Sequence, residues 1–318
     1  MVRDAQAVTA RVQAVAPRRA RRIHPETLFA LVLVAPALLV VLGVYGYPAV
    51  LTLAFSVGEL DLSTFNITGW VGVTHYRTAM ADPAFVAVVG RTVYFAGMVV
   101  LLTLVVAFPI ALLLHQRFWG RGVVRVTVLL PWAVPPVVSG VLWGQMFHAE
   151  SGFINGLIRA LGGAGDTVWL GDATLALHAI IVAEVWRALP FATLFLLAGL
   201  QTLPVSAFEA AAIDGASTWQ RFRFLTLPLM TPILLPVAIV QFVWAMKAFD
   251  VIYVLTRGGP RMGTTTLNYL VYLQAFEQLR FGPAAATAYI LSAVTIAVIA
   301  VLGYLRWRTA VHDGAAPA

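Results

Sequence analysis

Six long apolar runs constrain this chain more than any other feature. They fall at about 27–55, 85–114, 123–147, 173–200, 229–255 and 284–304. Each meets or exceeds the roughly 20 residues that a helix needs to cross the hydrocarbon of a bilayer. Of the 318 residues, 60% are hydrophobic and 11% charged, which lies outside the range of soluble domains. A backbone crossing lipid must satisfy its own hydrogen bonds, so runs of this length predict helices. The fold class expected is therefore an all-α integral membrane protein with six transmembrane helices. The first run is too long for a signal-peptide core and lacks a clear A-x-A cleavage site, so it reads as a retained span.

Six crossings put both termini on one side. Arg18, Arg19, Arg21 and Arg22 precede the first run, Arg117, Arg121 and Arg125 follow the second, and Arg306 and Arg308 follow the sixth. Positive residues favour the cytoplasmic side, so the termini face the cytoplasm. The domain reading is a tail at 1–23, a membrane domain at 24–310 containing a cytoplasmic loop at 204–228, and a tail at 311–318. The net charge of +7 is a topological signal of this kind, not a nucleic-acid surface. The chain has no cysteine, which removes thiol chemistry and Cys-ligated metal. No Walker, H-E-x-x-H or G-x-S-x-G motif is present, so no catalytic or metal site is predicted and the chain does not hydrolyse ATP itself.

The polar stretch Glu209–Pro228, EAAAIDGASTWQRFRFLTLP, is not written like a loose loop. Ser206 stands three residues before Glu209, a capping-box spacing. Ala210, Ala211, Ala212 and Ile213 continue that helix, and Gly215 sits where helices commonly end. Ser217 and Gln220 repeat the capping-box spacing and open a second short helix through Phe224. The spacing predicts two short helices joined by a tight turn at Gly215. Glu209-Ala210-Ala211, then Gly215, then Leu225-Thr226-Leu227-Pro228 resembles the EAA loop of bacterial ABC-importer permeases, with Leu225 where the family has Ile. The resemblance implies a type I importer permease fold in which Glu209, Ala210, Ala211, Ala212, Asp214, Gly215 and Ala216 dock into an ATPase subunit.

Three places break the apolar pattern within the spans. Pro131, Pro135 and Pro136 in the third run predict a break or kink, either for packing or as a gating hinge. In the fourth run Glu184 and Arg187 are three apart, and in the fifth Lys247 and Asp250 are three apart. Each pair is spaced to meet along one helix face. At 1.5 Å per residue the first pair lies roughly 17–21 Å in from the outer surface and the second roughly 8–12 Å. Ionisable residues at such depth face a bundle interior or a wet cavity. Trp186, Phe191, Trp244, Phe249 and Tyr253 flank them, and aromatic faces beside polar groups suit a sugar ring. The same residues also read as helix locks and packing aromatics. An ion-coupled secondary transporter using Glu184 and Asp250 as a relay is the alternative.

The segment Glu184–Phe191, EVWRALPF, is similar to the segment before the EAA loop in maltose-type permeases. That resemblance covers about residues 30–308 and is most specific over 184–260. It implies a carbohydrate importer of the maltose, glycerol-phosphate and trehalose permease type. Its sugar contacts would fall at Trp186, Arg187, Ala188, Phe191, Trp244, Ala245 and Ala248, with Lys247 and Asp250 added from their place in the fifth run. Alanine replaces amides at two of these positions, and Arg187 replaces an apolar residue. The departures point away from maltose itself, and Arg187 with Lys247 points toward an anionic or strongly polar solute. The partners implied are a second permease subunit, a dimeric ABC ATPase that binds MgATP, an extracytoplasmic substrate-binding protein (lipoprotein or periplasmic) and membrane lipid. The location implied is the bacterial cytoplasmic (inner) membrane. No cofactor is expected in this chain.

Overall fold

The structure is a computed structural model that describes residues 25–61, 64 and 66–312, with side chains from 29 to 304. The expected tail at 1–23 and its arginine cluster lie outside the described residues, as does 313–318. The chain divides between Thr52 and Leu53 into two units.

The first apolar run is helical from Pro25 through Val57. It comprises α1 (Pro25–Val41), a π-helical turn at Leu42–Gly46 and α2 (Tyr47–Val57). A small antiparallel hairpin follows, β1 (Gly58–Asp61) with β2 (Asn66–Trp70), in which Gly58 faces Trp70 and Asp61 faces Asn66. Helix α3 (Thr74–Ala81) leads to α4 (Pro83–His115), which starts where Asp82 accepts a hydrogen bond from the Ala84 amide at 2.8 Å. Pro83 at its first position loses no bond, because the first amides of a helix are free in any case.

The third run is broken. Helices α5 (Arg121–Ala133) and α6 (Pro136–Met146) meet at 105°. Residues that precede proline are driven toward extended backbone, and Val134 and Pro135 both adopt it, at ψ 121° and 143°. The proline run thus turns the chain rather than bending one helix. Helix α7 (Phe153–Ala160) lies in the following polar segment. Helix α8 (Ala173–Leu200) matches the fourth run, and Asp172 caps it by accepting from the amides of Thr174 and Leu175 at 2.9 and 3.0 Å.

Helix α9 (Val205–Ile213) and α10 (Thr218–Arg221) form the predicted pair of short helices. A π-helical turn, Phe222–Thr226, then joins α10 to α11 (Leu227–Met246) without interruption. The fifth run is not one helix to Leu255. It stops at Lys247 and resumes as α12 (Asp250–Leu255). The break contains neither proline nor glycine. Its physical support is long-range: the Asn268 side-chain amide donates to the Lys247 carbonyl at 2.7 Å, satisfying a group freed by the helix end. Helix α13 (Leu267–Tyr272), a π-helical turn at Leu273–Glu277 and α14 (Phe281–His312) complete the described chain. Among the described residues, five helices, or six with the broken pair as one span, are long and apolar enough to cross a membrane.

Helices α4 and α8 pack along each other through small residues. Ala107 and Ala111 on α4 and Ala192 on α8 are fully buried. At Gly199 of α8 an added Cβ would lie 2.6 Å from Ile233 of α11, so glycine permits that close approach. The apolar interior of the second unit falls into two clusters. One gathers Phe95, Val99, Trp143, Ile180, Val185, Met246 and Ile252. The other gathers Phe108, Leu114, Leu196, Leu200 and Met230. The candidate site lies between them.

Candidate functional site

Two sets of residues were singled out, and the structure treats them differently. In the polar stretch, α9 ends in a Schellman motif. The Ala216 amide donates to Ala211 O at 2.9 Å and the Gly215 amide to Ala212 O at 3.1 Å. This closure needs a left-handed residue, and Gly215 supplies it at φ 76°. The Ser217 hydroxyl and the Gln220 side chain form the expected capping box at the start of α10. The box expected at Ser206 and Glu209 is absent. Helix α9 begins after Pro204, which places Ser206 inside its first turn rather than at the cap.

Glu209, Ala210, Ala212, Asp214 and Gly215 are exposed, while Ala211 and Ala216 are half-buried. Ala211, Asp214, Gly215 and Ala216 line a concavity together with Gln220, Arg221, Phe224 and Leu225, whereas Glu209, Ala210 and Ala212 lie outside its lining. Around it Ile213 is 87% exposed and Phe224 69%. A rigid turn that displays large apolar side chains beside charged ones is the composition of a docking surface.

Part of the second set converges on a cavity between α4, α5, α8 and α11. Arg187, Ala188, Phe191, Trp244 and Ala245 all line it, together with Glu184. Val99, Trp132 and Gln241 line it too, and these three were not anticipated. Gln241 had a readable signal, as the one side-chain amide in an otherwise apolar stretch of α11. Trp132 did not, because the turn between α5 and α6 brings it there. The cavity measures about 30 Å³, room for about two waters and far less than a sugar ring requires. The helices are closely packed around this point.

Glu184 is 3% exposed and Arg187 31%. The Arg187 Nε donates to Glu184 Oε2 at 3.1 Å, and the guanidinium makes a second, shorter contact to Oε1. A forked pair of this geometry is among the stronger charge-assisted contacts. Gln241 is 2% exposed and donates through Nε2 to the Ala188 carbonyl at 3.1 Å, tying α11 to α8 across the cavity. Phe191 and Trp244 meet edge to face with centroids 4.5 Å apart.

The remaining predicted residues stand apart from the cavity lining. Trp186 packs edge-on against Trp143 at 6.0 Å. Ala248 is buried in the apolar core. Lys247 is exposed in the break after α11, and Asp250 is half-buried in the first turn of α12. Glu184 and Arg187 form an ion pair; Lys247 and Asp250 do not meet, because the helix that would have aligned them is interrupted. No described group of three or more His, Cys, Asp or Glu side chains is placed to hold a metal ion.

Beyond the break, threonines organise the connection from α12 to α13. Thr256 and Thr264 share a hydrogen bond at 2.7 Å, Thr264 donates to Gly259 O at 2.8 Å, and Thr265 donates to Gly258 O at 3.1 Å. Arg91 of α4 donates to the carbonyls of Met262 and Thr265 at 2.9 and 3.1 Å. This connection is thereby fixed to the same helix that lines the cavity.

Residues 100–311 match the model of a family described as "Binding-protein-dependent transport system inner membrane component". A trehalose/maltose transport system permease protein of Thermococcus litoralis is 38% identical over 249 residues, covering 78% of this chain and 84% of the relative. A sulfoquinovosyl glycerol transport system permease protein of Agrobacterium fabrum is 32% identical, covering 88% and 90%. The fold is similar to that of a chain in a bacterial ABC transporter involved in the import of the acidic polysaccharide alginate, with a TM-score of 0.76 and 19% identity over 90% of this chain and 97% of the other.

Proposed function

This chain belongs to the family of binding-protein-dependent transport system inner membrane components, and from that premise we propose that it forms the membrane path of a carbohydrate importer. As a permease subunit it is not itself an enzyme. Its partners in this reading are a second permease subunit, a dimeric ABC ATPase that holds MgATP, and an extracytoplasmic substrate-binding protein. Its place is the bacterial cytoplasmic membrane, with the Gly215 turn facing the cytoplasm.

The observation that carries the reading is the turn itself. Asp214, Gly215 and Ala216 form a stiff, exposed elbow whose second helix runs without a break through the π-helical turn into α11. A push on the elbow is thus delivered to the helix that carries Gln241, Trp244 and Ala245 into the cavity. Rotation or translation of α11 against α8 breaks the Gln241 tie to Ala188 and opens the path. ATP drives this only if its binding favours one arrangement of the helices over the other, since a partner shifts an equilibrium by its differential affinity alone.

Carbohydrate suits the site because its walls pair aromatic faces, Phe191, Trp132 and Trp244, with a few convergent polar groups, Glu184, Arg187 and Gln241. The named relatives move sugars in both uncharged and sulfonated forms. Reconstitution into proteoliposomes with the ATPase, second permease and binding protein tests the proposal. ATP-dependent uptake of a labelled oligosaccharide is the expected result. Uptake that persists when the ATPase is omitted would instead favour an ion-coupled carrier.

A further inference from the structure

We infer that the solute for which this path is built carries no net charge; the inference rests on the carbohydrate reading and narrows it. Read from the sequence alone, Arg187 and Lys247 are two positive charges in the membrane, and they invite an anionic solute. The structure removes both from that role. Arg187 is held at its Nε and at a second guanidinium nitrogen by the two oxygens of Glu184. Lys247 is exposed in the break after α11 and contributes nothing to the cavity lining.

The charged groups lining the cavity are therefore one carboxylate and one guanidinium already joined to each other. A phosphate or sulfonate entering here meets a guanidinium whose charge Glu184 already balances. To take the guanidinium hydrogens that Glu184 already holds, it must displace that carboxylate, which is 3% exposed. That would strand a buried carboxylate, which is strongly unfavourable. A hydroxylated, uncharged ring meets no such penalty. It finds the Gln241 amide and the outer edges of the ion pair as hydrogen-bonding groups, and Phe191, Trp132 and Trp244 as apolar faces.

The inference separates this chain from relatives of similar identity. A permease for a sulfonated sugar and one for neutral disaccharides are both similar to it overall, so the family likeness does not decide solute charge. The local pairing of Glu184 with Arg187 does.

The test is equilibrium binding to the assembled transporter in lipid nanodiscs, with the binding protein omitted so that its own selectivity does not intervene. The probes are a panel of labelled uncharged disaccharides, trehalose among them, and their phosphorylated or sulfonated counterparts. The wild type is expected to bind at least one uncharged sugar about tenfold or more tightly than any charged counterpart, a difference of about 1.4 kcal/mol. Glu184→Gln frees the guanidinium and is expected to close most of that gap by strengthening binding of the charged sugars. Glu184→Asp keeps the carboxylate and is expected to keep the preference. Equal or tighter binding of a charged sugar by the wild type overturns the inference but leaves a carbohydrate importer standing. So does a loss of preference in Glu184→Asp equal to that in Glu184→Gln. Binding of no sugar in the panel overturns the carbohydrate reading as well.

Discussion

The elbow at Gly215 and the cavity at Glu184 are built by opposite means. Every bond that shapes the elbow joins residues within five positions of one another, from Ala211 to Gln220. The cavity draws Val99, Trp132, Glu184, Arg187, Gln241 and Trp244 from four helices, and only the Glu184–Arg187 pair is local. The elbow is a preformed part whose shape does not depend on the rest of the bundle. The cavity exists only in one packing of the bundle, so its volume changes when the helices shift. A stiff local handle joined to an adjustable non-local gate is the division of labour that a driven transport path requires.

Substitutions sharpen this contrast, beginning with the handle. At Gly215 an added Cβ meets no atom within 4 Å, so only the backbone angle of φ 76° is at stake. Gly215→Val places a β-branched residue in left-handed conformation, at about 1–3 kcal/mol of strain. The expected outcome is loss of substrate-stimulated ATP hydrolysis in the assembled transporter, with normal membrane insertion. Gly215→Asn, which tolerates that conformation, is expected to keep most of it. Equal activity of the two variants would mean that the elbow's shape is unimportant.

The gate responds to charge before shape. Arg187→Ala leaves the Glu184 carboxylate buried and unpaired, and is expected to destabilise the protein by about 3 kcal/mol, the lower end for a broken buried pair because Arg187 is partly exposed. Thermal unfolding in detergent measures it. The double substitution Glu184→Gln with Arg187→Met is expected to recover most of the loss; failure to recover would mean that Arg187 acts through contacts other than its ion pair. Gln241→Leu gives the smallest effect. It removes one inter-helix hydrogen bond, worth about 1 kcal/mol, and is expected to raise ATP hydrolysis in the absence of solute about fivefold. An unchanged basal rate would show that α8 and α11 do not separate along that contact.

The same division explains what the amino-acid sequence discloses. Spans show as apolar runs, and their ends follow from local caps such as Asp82 and Asp172. The elbow is legible for the same reason: Gly215, Ser217 and Gln220 act on their immediate neighbours. The expected cap at Ser206 fails because Pro204 starts the helix two residues earlier, and either start satisfies local preferences. The break at Lys247 has no local mark; it is held by Asn268, 21 residues on. Trp132 reaches the cavity only because Val134 and Pro135 turn the chain through 105°. The prolines announce a break but not its direction. The pairing of Glu184 with Arg187 was readable from spacing. The failure of Lys247 to pair with Asp250 was not, since it depends on a helix end set by tertiary contact.

The central claim is that a nucleotide-hydrolysing partner grips the elbow. The chain has no cysteine, so a single Ala212→Cys substitution on the exposed face of α9 introduces one reactive site. Disulfide crosslinking of that variant to single cysteines placed around the cleft of the ATPase subunit measures the contact directly. The account predicts efficient crosslinking whose yield changes when ATP is added. Labelling of Cys at this position by water-soluble and headgroup-reactive reagents alone, with no crosslink to the ATPase in any nucleotide state, would contradict it.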